Sequence, residues 1–243
     1  AHLEVRPGLI PGPDGSLVSA GIPYGMWPRL LLLHIATEAV RTRSPRIELG
    51  ESLADFFRRL KIRPDTHNVR MIRRQALRLF AAKIHFTFSA SASIAERSAQ
   101  GETPYQLWQW DNSHMKEASC FRGHIILSAR FFEEILRHPY PVDIGAIHGL
   151  RQSPLALDLF LWLSLRLRTL RHPFVLRFSA LAAQMGSGYT REAEFARHCR
   201  SALKLIKFFW RLLRYDEVPG GIRFFPSPPP VPMKTNPTKR KNQ

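Results

Sequence analysis

Apolar positions recur along this chain at spacings that predict most of its elements. Between Arg191 and Arg214 (REAEFARHCRSALKLIKFFWRLLR), Phe195, Cys199, Ala202, Ile206, Phe209 and Leu213 return at intervals of three and four, the spacing of one helix face. Two positions further on, Arg197, Arg200, Lys204, Lys207, Arg211 and Arg214 return at the same intervals. Two residues turn a helix by about 200°. The pattern therefore predicts a long helix, anchored by its apolar face, with an unbroken cationic ridge opposite.

The remaining elements follow from the N-terminus. Residues 1–19, with PGLIPGPDG, predict an irregular arm leading into the fold from a longer parent chain. Pro28 opens a helix through RLLLLHIATEAVRT, as proline favours a first turn. Ile47–Leu49 is a short strand candidate, and Ser52 is placed to N-cap a second helix, LADFFRRL, with Phe56 and Leu60 on its core face. After the polar break RPDTHN, a third helix is predicted over Val69–Phe80, with Val69, Ile72, Ala76 and Leu79 inward and Arg70, Arg73, Arg74 and Arg78 on other faces. KIHFTFS alternates as a strand over 83–89 and is expected to pair with a second strand over 124–128. YQLWQW is a further strand candidate, and Arg130–Arg137 a closing helix.

Pro139, Pro141, Gly145 and Gly149 predict a linker over 139–152. Beyond it the order repeats: a helix from Ser153-Pro154 to Leu170, a strand over Phe174–Phe178, a short helix capped by Ser179 and running through Met185, a GSGY turn, the basic helix, and a hairpin around Pro219-Gly220-Gly221. PSPPP ends the fold and TKRKNQ forms a basic tail. The expected architecture is α+β and helix-rich: two tandem winged-helix domains, each a helix-turn-helix with a β-wing, over 20–138 and 153–232, followed by a disordered basic tail over 233–243.

Charge narrows the partners. With 36 Lys and Arg against 19 Asp and Glu, the 243-residue chain carries +17, a field that favours phosphate backbones or anionic lipid surfaces. The 44% apolar content and sixteen Phe indicate a folded protein. Two cysteines, Cys120 and Cys199, cannot build a disulfide framework or a Cys-rich zinc site; two buried free thiols are expected, with one disulfide left open. No signal peptide is visible, and the start at Ala1 suggests a processed or trimmed chain. The most apolar segment, Leu155–Leu170, contains Asp158, Arg166 and Arg168 and is too short to span a bilayer, so a soluble cytoplasmic protein without a membrane partner is expected.

Three blocks carry a family resemblance: IPYGMWPRLLLLHIATEAVRTRSPRIELGESLADFFRRL, then SPLALDLFLWLSLRL, then GGIRFFPSPPPV. Over residues 20–232 the chain resembles the plasmid-encoded RepA family of replication initiators. The resemblance implies an initiator that binds direct repeats (iterons) at a plasmid origin, opens nearby A·T-rich DNA and recruits the host helicase and initiator machinery. It also implies two winged-helix domains and a shift between a repressing dimer and an initiating monomer.

Helix geometry, not the resemblance, selects the candidate DNA contacts. A recognition helix enters the major groove chiefly by its N-terminal part, which points to Arg191, Arg197, His198, Arg200 and Lys204. Arg can fork onto guanine, whereas Lys204 and Lys207 suit phosphates, as does Arg211 further along the ridge. Ser187 and Tyr189 in the preceding turn are candidate phosphate contacts, with packing against the helix start the alternative for Tyr189. Arg70, Arg73, Arg74 and Arg78 offer the same chemistry in the first domain, where self-association competes for that surface. Arg223 on the wing can reach the backbone or a minor groove.

Catalytic chemistry is not expected, nor any cofactor or metal. GSGY lacks the lysine of a nucleotide-binding loop, and His34, His67, His85, His114 and His124 form no His-x-His pair. Cys120 and His124 lack an oxyanion hole, and Glu133 and Glu134 point to different helix faces. The alternatives are a winged-helix transcriptional repressor, including an autorepressor, a membrane-peripheral or partner-binding protein, and a nuclease. Phe209 and Trp210 read better as wing-packing core than as a membrane-facing edge, and no acidic metal cluster supports a nuclease.

Overall fold

A computed structural model describes residues 2–12, 14–49, 51–63, 65–87, 108–110, 124–186 and 188–232. The chain divides into two units, residues 1–139 and 140–243. The fold is α+β and helix-rich, with small antiparallel sheets.

In the first unit, strands β1 (His2–Arg6), β2 (Leu9–Pro11) and β3 (Leu17–Ser19) precede helix α1 (Met26–Thr42). In α1, Trp27, Leu30, Leu31, His34, Ile35 and Ala39 are buried, a spacing that keeps one face inward against α3 and α4. Then come β4 (Arg46–Glu48), α2 (Glu51–Arg59), α3 (Thr66–Ala81), β5 (Lys83–Thr87), β6 (Trp108–Trp110), β7 (His124–Leu127) and α4 (Ala129–Arg137). Helix α2 already includes Ser52, which is therefore not its N-cap. Helix α3 starts three residues before Val69 because the Asp65 carboxylate accepts from the Asn68 N–H at 2.7 Å and satisfies its first turn. Its buried residues are Ile72, Gln75, Ala76, Leu79 and Phe80.

Two expectations are corrected here. The arm over 1–19 is not irregular: β2 and β3 form a hairpin, and β1 pairs antiparallel with β5, Val5 lying opposite Ile84. In consequence β5 does not pair with the 124–128 strand. Strand β7 lies instead between β4 and β6, with Ile47 opposite Ile125, both buried. The cause is proximity: β5 leaves α3 almost at once, and the N-terminal segment is already beside that point. A side chain at Gly8 would place its Cβ 1.7 Å from the Ala81 carbonyl oxygen, so only glycine permits this approach.

In the second unit, the stretch expected as a linker holds helix α5 (Ile144–Leu150), capped by the Asp143 carboxylate, which accepts from the N–H groups of Gly145 and Ala146. Ala146, Ile147 and Leu150 are buried, and α5 packs on α6 (Pro154–Arg166) and α8 (Glu192–Phe209). Gly149, one of the glycines that suggested a linker, serves packing instead, with the Phe209 ring where a side chain would lie. Ser153 caps α6 by accepting from the Ala156 N–H, and the helix passes into a 3-10 turn over Leu167–Thr169. Strand β8 (Phe174–Arg177) gives way directly to α7 (Phe178–Gln184), so Phe178 belongs to the helix and Ser179 is not its cap. After α8 come β9 (Tyr215–Val218) and β10 (Gly221–Phe224).

Helix α8 ends at Phe209, not Arg214. The Trp210 N–H still reaches the Ile206 carbonyl, but its indole donates to the Pro228 carbonyl at 2.8 Å and the chain turns. The Lys207 ammonium closes the helix by donating to the carbonyls of Arg211, at 2.8 Å, and Leu213. Ser227 is buried and accepts from the Arg214 N–H at 3.0 Å while donating to the Phe225 carbonyl. PSPPP therefore does more than end the fold: Ser227 and Pro228 hold the turn that follows α8.

Both units contain the order helix, strand, helix, helix, then two further paired strands (α1, β4, α2, α3, β6, β7 and α6, β8, α7, α8, β9, β10); the first unit adds β1–β3, β5 and α4, and the second adds α5. The two three-stranded sheets take the same order, the first strand beside the last: β4-β7-β6 and β8-β10-β9.

The packing yields two expected outcomes. A Cβ on Gly149 would lie 1.9 Å from the Phe209 ring. Gly149→Ala should therefore destabilise the protein by up to about 2 kcal/mol, because overpacking (about 1–3 kcal/mol) outweighs the gain in helix propensity (about 1 kcal/mol). The midpoint of urea unfolding checks this, and an unchanged midpoint would mean that Phe209 swings aside freely. Burial also pushes the His34 imidazole down from its usual 6.5 to about 4. The unfolded chain then binds a proton below about 6.5 that the folded protein refuses until about 4, so stability is full above that window and falls with pH through it. The loss attributable to His34 should approach about 3 kcal/mol. It should be absent in His34→Leu, so urea unfolding should show the wild-type protein losing about 3 kcal/mol more than the variant between pH 7 and pH 4.

Candidate nucleic-acid interface

The orientation of α8 follows from what it buries. Phe195, Ala196, Cys199, Ala202, Leu203 and Ile206 are in the core, packed against α5, α6 and α7. The opposite face carries Arg197, Ser201 and Lys204, all exposed, with Arg191 exposed at the N-cap. Ser201 donates to the Arg197 carbonyl, so its hydroxyl is turned along the helix. Glu192 and Glu194 occupy the first turn, where acidic groups complement the helix dipole.

The unbroken ridge is corrected. An ideal helix drifts by about 20° per seven residues against a strict heptad, so the basic series runs obliquely round the helix. Arg200 and Lys207 fall on its flank and find partners. The Arg200 Nε donates to Glu217 Oε2 on β9 at 2.7 Å, and its guanidinium carbon stands 5.0 Å from the centroid of the buried Phe178 ring. Lys207 is occupied by the carbonyls of Arg211 and Leu213 in the turn that follows the helix. Arg211 and Arg214 are exposed in the turn beyond α8, with Arg214 over the Phe225 ring. Apolar side chains interrupt the outer face in its C-terminal half, where Leu205 and Phe208 are exposed, Phe208 by 71%, and Leu212 is exposed in the turn beyond.

Around the helix start, the Tyr189 ring stacks near Phe195 (centroids 5.5 Å apart) and His198 (5.0 Å), which pins the preceding turn to α8. Tyr189 thus packs against the helix start while remaining 38% exposed. His198 is half-buried, faces an Arg197 Nη2 at 3.4 Å, and has its Nδ1 buried without a hydrogen-bond partner among the described residues. Ser187 lies outside the described residues. Arg223 is exposed on β10, opposite Asp216 of β9.

In the first unit the arginines of α3 hold the segment before α1. Arg74 Nη2 donates to the Tyr24 hydroxyl at 2.8 Å, and Arg78 sits 5.1 Å from the centre of the Tyr24 ring. The buried Gln75 side chain accepts from the Tyr24 N–H at 2.9 Å. Arg73 is half-buried with its Nε unpaired among the described residues, and Arg70 is exposed. Of the four candidates, two are therefore already engaged by Tyr24.

Sequence reasoning missed Glu217, Phe178 and Tyr24. Alternation in YDEV places Tyr215 and Glu217 on one face of β9, but nothing local indicates that Arg200, seventeen residues earlier, lies across from it. Burial pushes the Cys199 thiol up to about 12, so the group is no nucleophile near neutral pH. Cys120 lies outside the described residues. Among the described residues no three His, Cys, Asp or Glu side chains are grouped to hold a metal ion, and no helix is long and apolar enough to cross a membrane.

No curated protein matches the chain by sequence. Among solved structures it is similar to two crystal structures of domains 2 and 3 of RctB, one a selenomethionine derivative. Each is 14% identical, with 90% of this chain and 89% of the other covered and a TM-score of 0.48. The model of the plasmid-encoded RepA protein family matches residues 22–174. That stretch is more than half of the chain and runs from the segment held by Tyr24 to the first residue of β8, so the protein belongs to the plasmid-encoded RepA family of replication initiators.

Proposed function

We propose that this replication initiator binds direct repeats at its plasmid origin through two winged-helix units, α8 entering the major groove and the β9–β10 hairpin forming a wing beside it. Bound in tandem, such units deform the duplex, favour opening of the neighbouring A·T-rich DNA and present a platform to the host helicase and initiator proteins. A monomer–dimer shift would regulate access. The work is done by binding and deformation, and the protein contributes no bond-making chemistry.

The observation that carries this proposal is the arrangement in the second unit. A helix locked by a fully apolar inner face presents Arg191, Arg197, Ser201 and Lys204 outward, ahead of a hairpin that carries Arg223. In each unit two helices lie between the first and second strands of a three-stranded antiparallel sheet whose first strand lies beside the last, which supports reading each as a helix-turn-helix with a wing. The net charge of +17 adds the long-range attraction that brings such a face to DNA.

Fluorescence anisotropy over a salt series, with a duplex carrying one origin repeat and a scrambled duplex, tests the proposal. Wild-type protein should prefer the repeat by about 10³-fold or more, and both affinities should fall steeply with salt. Arg197→Ala and Lys204→Ala should each weaken binding. A variant that has lost only a phosphate contact should lower the slope of log K against log salt by about one. Equal, weak binding to both duplexes would show the outer face of α8 to be a solvated charged surface and would remove the mechanism.

A further inference from the structure

Of the exposed arginines on the second unit, Arg200 has the most fully specified setting. Its Nε is held by Glu217 at 2.7 Å, and its guanidinium carbon lies over the Phe178 ring, 5.0 Å from the centroid. Phe178 is fixed in the core, and the backbone of Glu217 is fixed by the sheet. Phe178 is 2% exposed and donates its N–H to the Gly220 carbonyl at 3.0 Å, tying the start of α7 to the wing turn. Glu217 lies in β9, in register with Ile222 of β10, whose side chain is 1% exposed. Three elements thus converge on one guanidinium, and 41% of the Arg200 side chain stays accessible.

The mode of pairing decides what this arginine can do. A carboxylate usually takes a guanidinium with two parallel bonds. Glu217 takes only Nε, and the two Nη groups have no hydrogen-bond partner among the described residues. They form a fork matching a base edge with two adjacent acceptors, which in the major groove is guanine O6 and N7. A carboxylate this close cancels most of the charge that would attract a phosphate, yet leaves the hydrogen-bonding direction of the fork intact. Arg200 is thereby made a poor phosphate anchor and a good reader of a neutral base edge.

We infer that Glu217, on the wing, is a positioning and specificity-determining residue: it orients Arg200 on the Phe178 ring for a guanine of the origin repeat and discourages it from settling on the backbone. This rests on the DNA-binding proposal above and adds to it a named base and a second-element residue that selects it.

Binding of the repeat duplex, of duplexes with each G·C pair replaced in turn, and of a scrambled duplex would be measured across a salt series for the wild-type protein, Arg200→Ala, Arg200→Lys and Glu217→Gln. Arg200→Ala should lose roughly 5- to 150-fold on the repeat, with little change on the duplex lacking the cognate guanine and an unchanged salt slope. Arg200→Lys should behave like it, because an ammonium cannot fork. Glu217→Gln should bind the scrambled duplex more tightly, steepen the salt slope by about 0.9, and narrow the preference at that same base pair. Uniform weakening of Arg200→Ala on every duplex, with the slope reduced by about one, would overturn the inference and make Arg200 a phosphate contact. An unchanged preference in Glu217→Gln would overturn the role of the wing. Wild-type protein without preference for the repeat would instead remove the DNA-binding proposal on which the inference stands. Thermal melts of each variant separate loss of folding from loss of readout.

Discussion

Everything the second unit can do depends on the burial of one face of α8. Phe195, Cys199 and Ile206 are wholly excluded from water, and Ala196, Ala202 and Leu203 nearly so. Burying a phenylalanine or isoleucine contributes about 1.5–3 kcal/mol, so this stripe is worth a large part of the stability of a small unit. Its consequence for function is angular. Rotating the helix by one residue, about 100°, would turn core side chains to water and carry Arg200 away from both Phe178 and Glu217. The core therefore fixes which polar side chains face out and at what angle they meet the hairpin. Direct reading of bases requires that degree of placement and attraction to phosphates does not.

The end of α8 depends on the same packing. Leu213 is fully buried, and Trp210 meets Phe160 of α6 edge-on, with ring centroids 6.2 Å apart. A continued helix would also keep Leu213 on the apolar face, so the turn is set by the anchoring of the Trp210 indole to Pro228 and of the Arg214 N–H to Ser227. The carbonyls freed by the turn are taken by Lys207, with Ser227 and Pro228 holding the returning strand. A cation at a helix C-terminus is favourable in its own right. Lys207 thus serves the fold, and its removal from the candidate phosphate contacts follows from geometry that a periodicity cannot express.

That contrast explains how much was legible beforehand. The second unit could be read nearly element by element, because α6, β8, α7 and α8 are written in local spacing and the hairpin in the dipeptide Gly220-Gly221. What escaped was non-local or short. The pairing of β1 with β5 joins residues some eighty positions apart, and α5 is two turns of helix whose glycines resemble a linker until Phe209 is seen lying on one of them. The candidate face shows the same division. The outward placement of Arg197 and Lys204 on α8 was visible in the stripe, whereas the exposure of Leu205 and Phe208 was not, and the holding of Arg200 by Glu217 and of Arg74 by Tyr24 belongs to tertiary structure alone.

Net charge and placed charge act differently in this protein. A field of +17 acts at the range of a Debye length, about 8–10 Å at physiological salt, and draws the protein to any polyanion. It cannot choose among sequences, because every duplex presents the same phosphates. Selectivity needs groups whose hydrogen bonds have direction and whose charge does not let them settle wherever the potential is most negative. Pairing an arginine with a carboxylate through one nitrogen supplies both properties, since it removes the net attraction and keeps the fork. An acidic residue on the hairpin of a strongly basic protein is, on this view, a means by which a sequence-reading arginine is kept from behaving like the many that surround it.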